Sequence, residues 1–283
     1  MSYRAVFISD VHLGTPDCRA EQLLSFLHQL NTDTLYLVGD IVDLESLAVR
    51  AYWPASHAAV VGAILDLAAR GTKVIYLPGN HDAPLRGLIG QTISAIDVRR
   101  FAVHHGLDGR RYRVSHGDEY DPERLGKDWL VWIGEHARRL VCWMNRGLNR
   151  VRRQLGLPYL PLPIVAKSRI QAAIDYIQEY EQRVVDAARE QGFDGHICGH
   201  IHFGAIRDVA GVRYMNDGDW VEHCTALSED ADGQWSLLHW TERGTALATA
   251  NTVGVYALLP SRLPLNSLEV ARQFAPNGSS KAA

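Results

Sequence analysis

Short apolar runs of four or five residues alternate along this chain with longer stretches whose apolar positions recur every three or four residues. Ala5–Ile8 reads as a buried strand that opens into the loop Ser9-Asp10-Val11-His12-Leu13-Gly14. From about Arg19 to Leu30, Leu23, Leu24, Leu27 and Leu30 fall at helical spacing. Thr34–Val38 is a second strand, stopping at Gly39-Asp40. A helix from roughly His57 to Ala69 then leads through Gly71 to the strand Lys73–Leu77, which ends in Pro78-Gly79-Asn80-His81-Asp82. Three successive strand–loop–helix cycles predict parallel strands joined by helical crossovers.

The pattern changes after position 100. Phe101–His105 and Arg111–Ser115 flank Asp108-Gly109, a hairpin signal, and the second strand ends in His116-Gly117-Asp118. From about Arg124 to Gln191 the spacing is helical, interrupted by Gly156-Leu157-Pro158 and by Leu160-Pro161-Leu162-Pro163. Gly195–Cys198 is strand-like and ends in Gly199-His200-Ile201-His202. Patterns around Ala205-Ile206, Val212–Met215, Cys224–Leu227 and Trp235–Trp240 read as hairpins. The residues beyond about Thr245 are small, polar and Pro-containing, and predict an extended arm with disordered last residues. The chain thus divides into a core, 1–123 with 192–245, a helical insertion, 124–191, and a C-terminal extension, 246–283.

Composition narrows this little. The chain has 283 residues, 47% of them hydrophobic and 22% charged, enough to bury a core without disulfide staples. A net charge of −3 gives no overall attraction for nucleic acid. Four scattered cysteines form no CxxC pair, and Cys198 and Cys224 sit in apolar runs as small core residues, which fits a reducing compartment. The N-terminus lacks the features of a signal peptide and no apolar stretch is long enough to span a bilayer. The expected location is cytoplasmic, with peripheral contact at the inner membrane.

The chemistry lies where the strands end. Gly39-Asp40 alone is a turn, and a single Asp-x-His or His-x-His is ordinarily a surface or capping arrangement. Here five such clusters recur, each after a strand-like run: Asp10-x-His12, Gly39-Asp40-x-x-Asp43, Gly79-Asn80-His81-Asp82, His116-Gly117-Asp118 and Gly199-His200-x-His202. In an α/β sheet those ends share one rim. The donors are oxygen and imidazole nitrogen without thiolate, which suits Mn²⁺, Fe²⁺ or Zn²⁺ in a catalytic site better than structural zinc. Their number permits two ions. Asp82 reads as a loop or helix cap, and His104, His105 and His196 as packing or surface residues.

This order of motifs resembles the calcineurin-like metallophosphoesterase superfamily over roughly residues 5–220. The resemblance implies a four-layer α/β/β/α sandwich with a helical lid insertion, and a dinuclear metal-dependent phosphohydrolase. Carried over residue by residue, Asp10, His12, Asp40 and His202 would hold one metal. Asp40, Asn80, His116 and His200 would hold the other, with Asp40 bridging and Mn²⁺ the expected ion. His81 would be a catalytic histidine outside the metal shell, oriented and kept charged by Asp43. Asn80, Asp118, Lys167 and Arg169 are assigned to substrate binding.

The insertion bears on the substrate. Residues 124–155 carry Trp129, Trp132, Leu140 and Trp143 at helical steps beside Arg138, Arg139, Arg146, Arg150, Arg152 and Arg153. A basic helix with aromatic residues suits a membrane surface or an amphiphilic ligand; a helix packed on the core with a solvated basic face fits the same pattern. Leu160–Pro163, Lys167-Ser168-Arg169 and Asn216–Glu222 are similar to the UDP-2,3-diacylglucosamine pyrophosphatase group of the superfamily. That likeness implies cleavage of a pyrophosphate bond in a lipid-linked substrate. The group's lipid A enzymes carry Arg where this chain has His81, and arginine cannot serve as a general acid near neutral pH. The alternatives are a phosphodiesterase, phosphomonoesterase or nuclease acting on a non-lipid substrate, or a metal-bound scaffold without catalysis. No proposed ligand is missing, which argues against the scaffold, and the net charge argues against nucleic acid.

Overall fold

The computed structural model describes residues 2–121, 167–240 and 246–249, with the backbone alone for 167–175 and 246–249. In chain order the strands are β1 (Ser2–Ile8), β2 (Asn31–Leu37), β3 (Lys73–Tyr76), β4 (Thr92–Ile93), β5 (Ile96–Val98), β6 (Ala102–His105) and β7 (Arg111–Val114). They continue as β8 (Gly195–Cys198), β9 (Ala205–Val209), β10 (Val212–Asn216), β11 (Thr225–Glu229), β12 (Trp235–Trp240) and β13 (Ala246–Thr249). The helices are α1 (Ala20–Gln29), α2 (Leu44–Val49), α3 (Ala55–Ala69) and α4 (Lys167–Glu190). Among the described residues, no helix is long and apolar enough to cross a membrane.

An eight-stranded sheet has the order β13-β12-β11-β1-β2-β3-β5-β4, and a five-stranded sheet the order β6-β7-β8-β10-β9. In the larger sheet β1, β2, β3 and β5 run parallel, as the repeated crossovers predict. In the smaller one β7, β8 and β10 are parallel. So β10, which reads as half of a hairpin, also zips along β8.

The layering follows from where alternate side chains go. On β1, Val6 and Ile8 join Leu35, Leu37 and Val74 under Leu23 and Leu27 of α1 and Val60, Ile64 and Leu67 of α3. The intervening Ala5 and Phe7 point the other way, with Tyr36, Val38, Ile75 and Leu77, onto Tyr112, Val114, Ile197 and Met215 of the second sheet. Strands buried on both faces are apolar at every position, and their sequences read as continuous runs. The second sheet's outer face, with Cys198, Ala205 and Tyr214, is covered by Tyr180, Val184, Val185 and Ala188 of α4. The result is an α/β/β/α sandwich.

Three features differ from the sequence reading. The C-terminal half of α4 falls inside the stretch assigned to the helical insertion, yet it forms the sandwich's outer layer, because its apolar stripe is buried against β8 and β10. The edge strand β4 and its neighbour β5 are two and three residues long, too short to show a period. Ala246–Thr249 pairs with β12, so the larger sheet runs past position 245. The rest of the insertion, 124–166, and of the extension, 250–283, lie outside the described residues, as do 122–123, 241–245 and Cys142. Cys198 and Cys224 are buried, as their apolar runs suggest, and neither is in a disulfide.

Candidate metal centre

Five of the parallel strands, β1, β2, β3, β7 and β8, deliver the five clusters from their C-terminal ends, and the loops interlock through their backbones. Asp10 N–H donates to Gly39 O at 3.1 Å, the N–H groups of Val11 and His12 both reach Asp40 O at 3.0 Å, and Gly199 N–H reaches His116 O at 3.1 Å. Asp10, His12, Asp40, His200 and His202 all have positive φ, between 50° and 71°, and they are five of the nine non-glycine residues so placed among those described. Each such residue costs of order 1–3 kcal/mol, and strain of this kind concentrates where side chains must be aimed.

The aim is convergence. Asp10, His12 and His202 bring one ligand atom each within 4.8 Å of one another, and Asp10, Asp40 and His116 form a second such group. His202 Nε2 lies 3.1 Å from Asp10 Oδ1, and His116 Nε2 lies 3.3 Å from Asp40 Oδ2. Asp10 Oδ1, His12 Nε2, Asn80 Oδ1 and His116 Nε2 are buried without a hydrogen-bond partner. Buried polar atoms ordinarily find partners; His12 Nε2 and Asn80 Oδ1 have none, and Asp10 Oδ1 and His116 Nε2 face only another donor of the same set, a convergence that marks a place for an ion. The ligating nitrogens are set by bonds on the opposite side of each ring. His116 Nδ1 donates to Val38 O at 2.8 Å, and His12 Nδ1 lies 3.2 Å from Asp43 Oδ2.

Glycines make room. A Cβ on Gly79 would lie 2.4 Å from Asp40 Oδ1 and 2.6 Å from the His116 ring, and one on Gly39, at φ +87°, would lie 2.5 Å from the same ring. Only glycine lets the chain pass this close to the two donor side chains.

The charges fit a cation. Burial alone would raise Asp10, but His202, His116 and His12 around it hold its carboxyl well below the usual range. Asp40 is likewise held down, burial being outweighed by His116 and His12. Burial would lower His116, yet Asp40, Asp10 and Asp118 raise it far above an ordinary histidine. Burial also opposes His202, which Asp10, with Asp219 and Asp40, lifts to about 9. Ionised buried carboxylates facing imidazoles are a donor set that asks for positive charge.

His81 is in neither of these two groups; with His12 and Asp43 it forms a third, whose ligand atoms also lie within 4.8 Å of one another. Its Nδ1 lies 3.2 Å from Asp43 Oδ2 and 3.8 Å from Glu45 Oε2, and its backbone N–H donates to Asp40 Oδ1 at 2.8 Å. Burial pushes its pKa down, but the Asp43 contact and the charges of Asp40 and Glu45 bring it up to about 9. Asp43 has two tasks. Oδ1 caps α2 by accepting from Ser46 N–H at 2.7 Å, while Oδ2 serves His81 and His12.

The remaining sequence-assigned residues are placed differently. The carboxylate common to both donor groups is Asp10, whereas Asp40, expected to bridge, has Oδ1 taken by His81 N–H and offers Oδ2 to His116. His200 packs its ring 5.2 Å from that of His116, but its Nε2 meets Asp121 Oδ2 at 2.8 Å, so it belongs to neither group. Asp118 gives both oxygens to Arg86, at 2.8 and 2.9 Å. Lys167 and Arg169 lie in the first turn of α4, where only the backbone is described. Asp82 binds the N–H groups of Ile41 (2.9 Å) and Gly79 and the Tyr76 hydroxyl, so it staples two ligand loops and caps no helix.

Behind Asp10 lies a network that the sequence does not announce. Ser9 Oγ contacts Asp10 Oδ2 and lies 2.6 Å from Asp217 Oδ1. Ser9 Oγ thus stands between the two carboxyl groups, and burial pushes Asp217 well above the ordinary range. Asp219 accepts the N–H groups of Val221, Glu222 and His223 and pairs with the His223 ring. The signal for both was the Asn216–Glu222 block, noticed as a similarity without a role.

The sequence model of the calcineurin-like phosphoesterase family matches residues 3–204. A protein named UDP-2,3-diacylglucosamine hydrolase from Aeromonas salmonicida (strain A449) is 26% identical, the match covering 78% of this chain and 88% of that one. One of the same name from Xanthomonas campestris pv. campestris (strain 8004) is 27% identical over 81% of this chain and 96% of its own. Among solved structures, the phosphoesterase Yfce from E. coli aligns with a TM-score of 0.44 at 16% identity, covering 88% of this chain and 99% of that chain.

Proposed function

Because the chain belongs to the calcineurin-like phosphoesterase family, we propose that this hydrolase uses two divalent ions, Mn²⁺ foremost, to cleave the pyrophosphate bond of a lipid-linked nucleotide such as UDP-2,3-diacylglucosamine. The observation that carries the reading is the pair of donor groups sharing Asp10, with buried ligand atoms that nothing else satisfies. Asp10, His12 and His202 would hold one ion, and Asp10, Asp40, Asn80 and His116 the other. When bound, such ions polarise the phosphoryl group and make an attacking water more acidic.

The chain's own residues do the rest. His81, charged through its contact with Asp43, would give its proton to the departing oxygen. The water oxygen bonds to phosphorus, the bridging P–O bond breaks, and the water's proton passes to solvent. Asp43 holds the ring in place before and after the proton is given up. The lipid reading is supported by the names of the two relatives and by the basic, tryptophan-bearing segment 124–155, which would meet a membrane surface from the cytoplasm.

Purified protein is tested with Mn²⁺ on bis(p-nitrophenyl) phosphate, UDP-2,3-diacylglucosamine and UDP-glucose, beside an Asp40→Ala variant. Mn²⁺-dependent turnover, lost at least about 100-fold in the variant, is expected. Equal turnover by both proteins would exclude the metal assignment. Indifference to the acyl chains would exclude the lipid substrate.

A further inference from the structure

Arg86 lies in the six-residue 3-10 helix Ala83–Leu88 that follows Asn80-His81-Asp82. Its side chain is tied to two ligand loops at once. Nε donates to Pro78 O at 3.3 Å, on the loop that carries Asn80 and His81. Nη2 donates to both oxygens of Asp118, two residues beyond His116. Asp118 is buried, its side chain 6% exposed, whereas that of Arg86 is 41% exposed. An arginine that only fastened two loops would engage the carboxylate through two nitrogens, the fork-to-fork arrangement that satisfies both sides. Here one nitrogen takes both oxygens, and Nη1 has no partner among the described residues. The guanidinium is held by a buried carboxylate two residues from His116, with Nη1 unengaged among the described residues.

We infer that Arg86, positioned by Asp118, binds the second phosphoryl group of a substrate containing two adjacent ones, and so makes the site selective for pyrophosphates over single phosphates. This rests on the phosphohydrolase reading above. It also reassigns Asp118: a carboxylate facing a phosphate would repel it, whereas one that orients an arginine contributes through that arginine. The planar fork suits two phosphate oxygens, and a lysine at this position would offer a point charge without that geometry.

The test uses Mn²⁺-loaded protein and titration calorimetry with UDP and UMP, which differ only by the second phosphate. Because UDP carries a pyrophosphate bond, it is used as its methylene-bridged, non-hydrolysable analogue; binding is then read without turnover, and failure of the hydrolase reading in the assays above is distinguished from failure here. Wild type is expected to bind UDP at least about 10-fold more tightly than UMP, as one charge-assisted contact implies. Arg86→Ala should reduce that ratio to below about threefold, with Arg86→Lys between the two. Asp118→Asn should also reduce it, by releasing the guanidinium. Thermal melts establish that each variant is folded, and Arg86→Lys carries the test if Arg86→Ala is not. Equal affinity of wild type for UDP and UMP overturns the inference, and so does a ratio that survives loss of the guanidinium.

Discussion

Gly79→Ala isolates how tightly the metal groups are built. Gly79 is outside the left-handed region, so alanine adds no backbone strain, and the whole effect comes from one methyl group. That methyl would sit 2.4 Å from Asp40 Oδ1 and 2.6 and 2.8 Å from two carbons of the His116 ring. Such contacts do not fall below 3.0 Å, so Asp40 must retreat by about 0.6 Å. It is not free to do so: Oδ1 holds the His81 N–H, and His116 is pinned by Val38 O. Overpacking of this size costs about 1–3 kcal/mol, which lowers Tm by roughly 2–4 °C per kcal/mol in a chain of this size. The effect on metal is greater, because ligand distances tolerate only about ±0.2 Å. The variant should therefore stay folded while its bound Mn²⁺, measured by elemental analysis after desalting, falls below that of wild type, and turnover of bis(p-nitrophenyl) phosphate drops at least about 100-fold. Gly62→Ala is the control: on α3 its Cβ meets nothing within 4 Å, so it should gain about 0.5–1 kcal/mol and leave turnover unchanged. A Gly79→Ala protein with wild-type Mn²⁺ content and turnover would refute the reasoning.

Two further predictions separate chemistry from stability. His81→Ala should keep its Mn²⁺ content and lose about 10²–10⁴-fold in kcat, since His81 pairs with Asp43 and belongs to neither Asp10 group; loss of metal would place it among the ligands instead. His196, fully buried beneath Ser115, is pushed down to about 3 by burial and then by Arg113, from an ordinary value of 6.5. The unfolded chain therefore binds this proton more readily than the folded one, so the stabilisation is complete above pH 6.5 and is lost as pH falls toward 3. By pH 5 the loss is about 2 kcal/mol, and urea unfolding of His196→Gln should show a correspondingly shallower decline between pH 7 and 5. Equal slopes would mean that His196 is not what senses the acid.

What was legible in the sequence was whatever repeats locally. Runs such as Ala5–Ile8 and Lys73–Leu77 announce strands buried on both faces, and the Leu23/Leu27 spacing announces α1. The metal donors were legible because each lies within a few residues of a strand's end, so parallel pairing brings them together whatever the loops do. Short elements were not: α2 has no buried residue, and its start is marked only by Asp43, which the site also uses. The same local reading placed Tyr180–Ala188 in an insertion, since helical periodicity states that a stripe is buried but not against which partner.

The partners that tune the donors escaped for a related reason. Ser9 and Asp217 are 208 residues apart, and His200 and Asp121 are 79 apart, so no spacing rule links them. Each is instead dictated by a deficit that exists only in the fold. Asp10 aims one oxygen at the metal groups and must satisfy the other, which takes Ser9 Oγ and the His200 N–H at 2.8 Å. Ser9 Oγ in turn lies against the buried Asp217, whose carboxyl burial pushes well above its ordinary range. The motif residues thus determine which helpers they need, and the parallel strands β8 and β10, side by side, determine where along the chain the helpers come from.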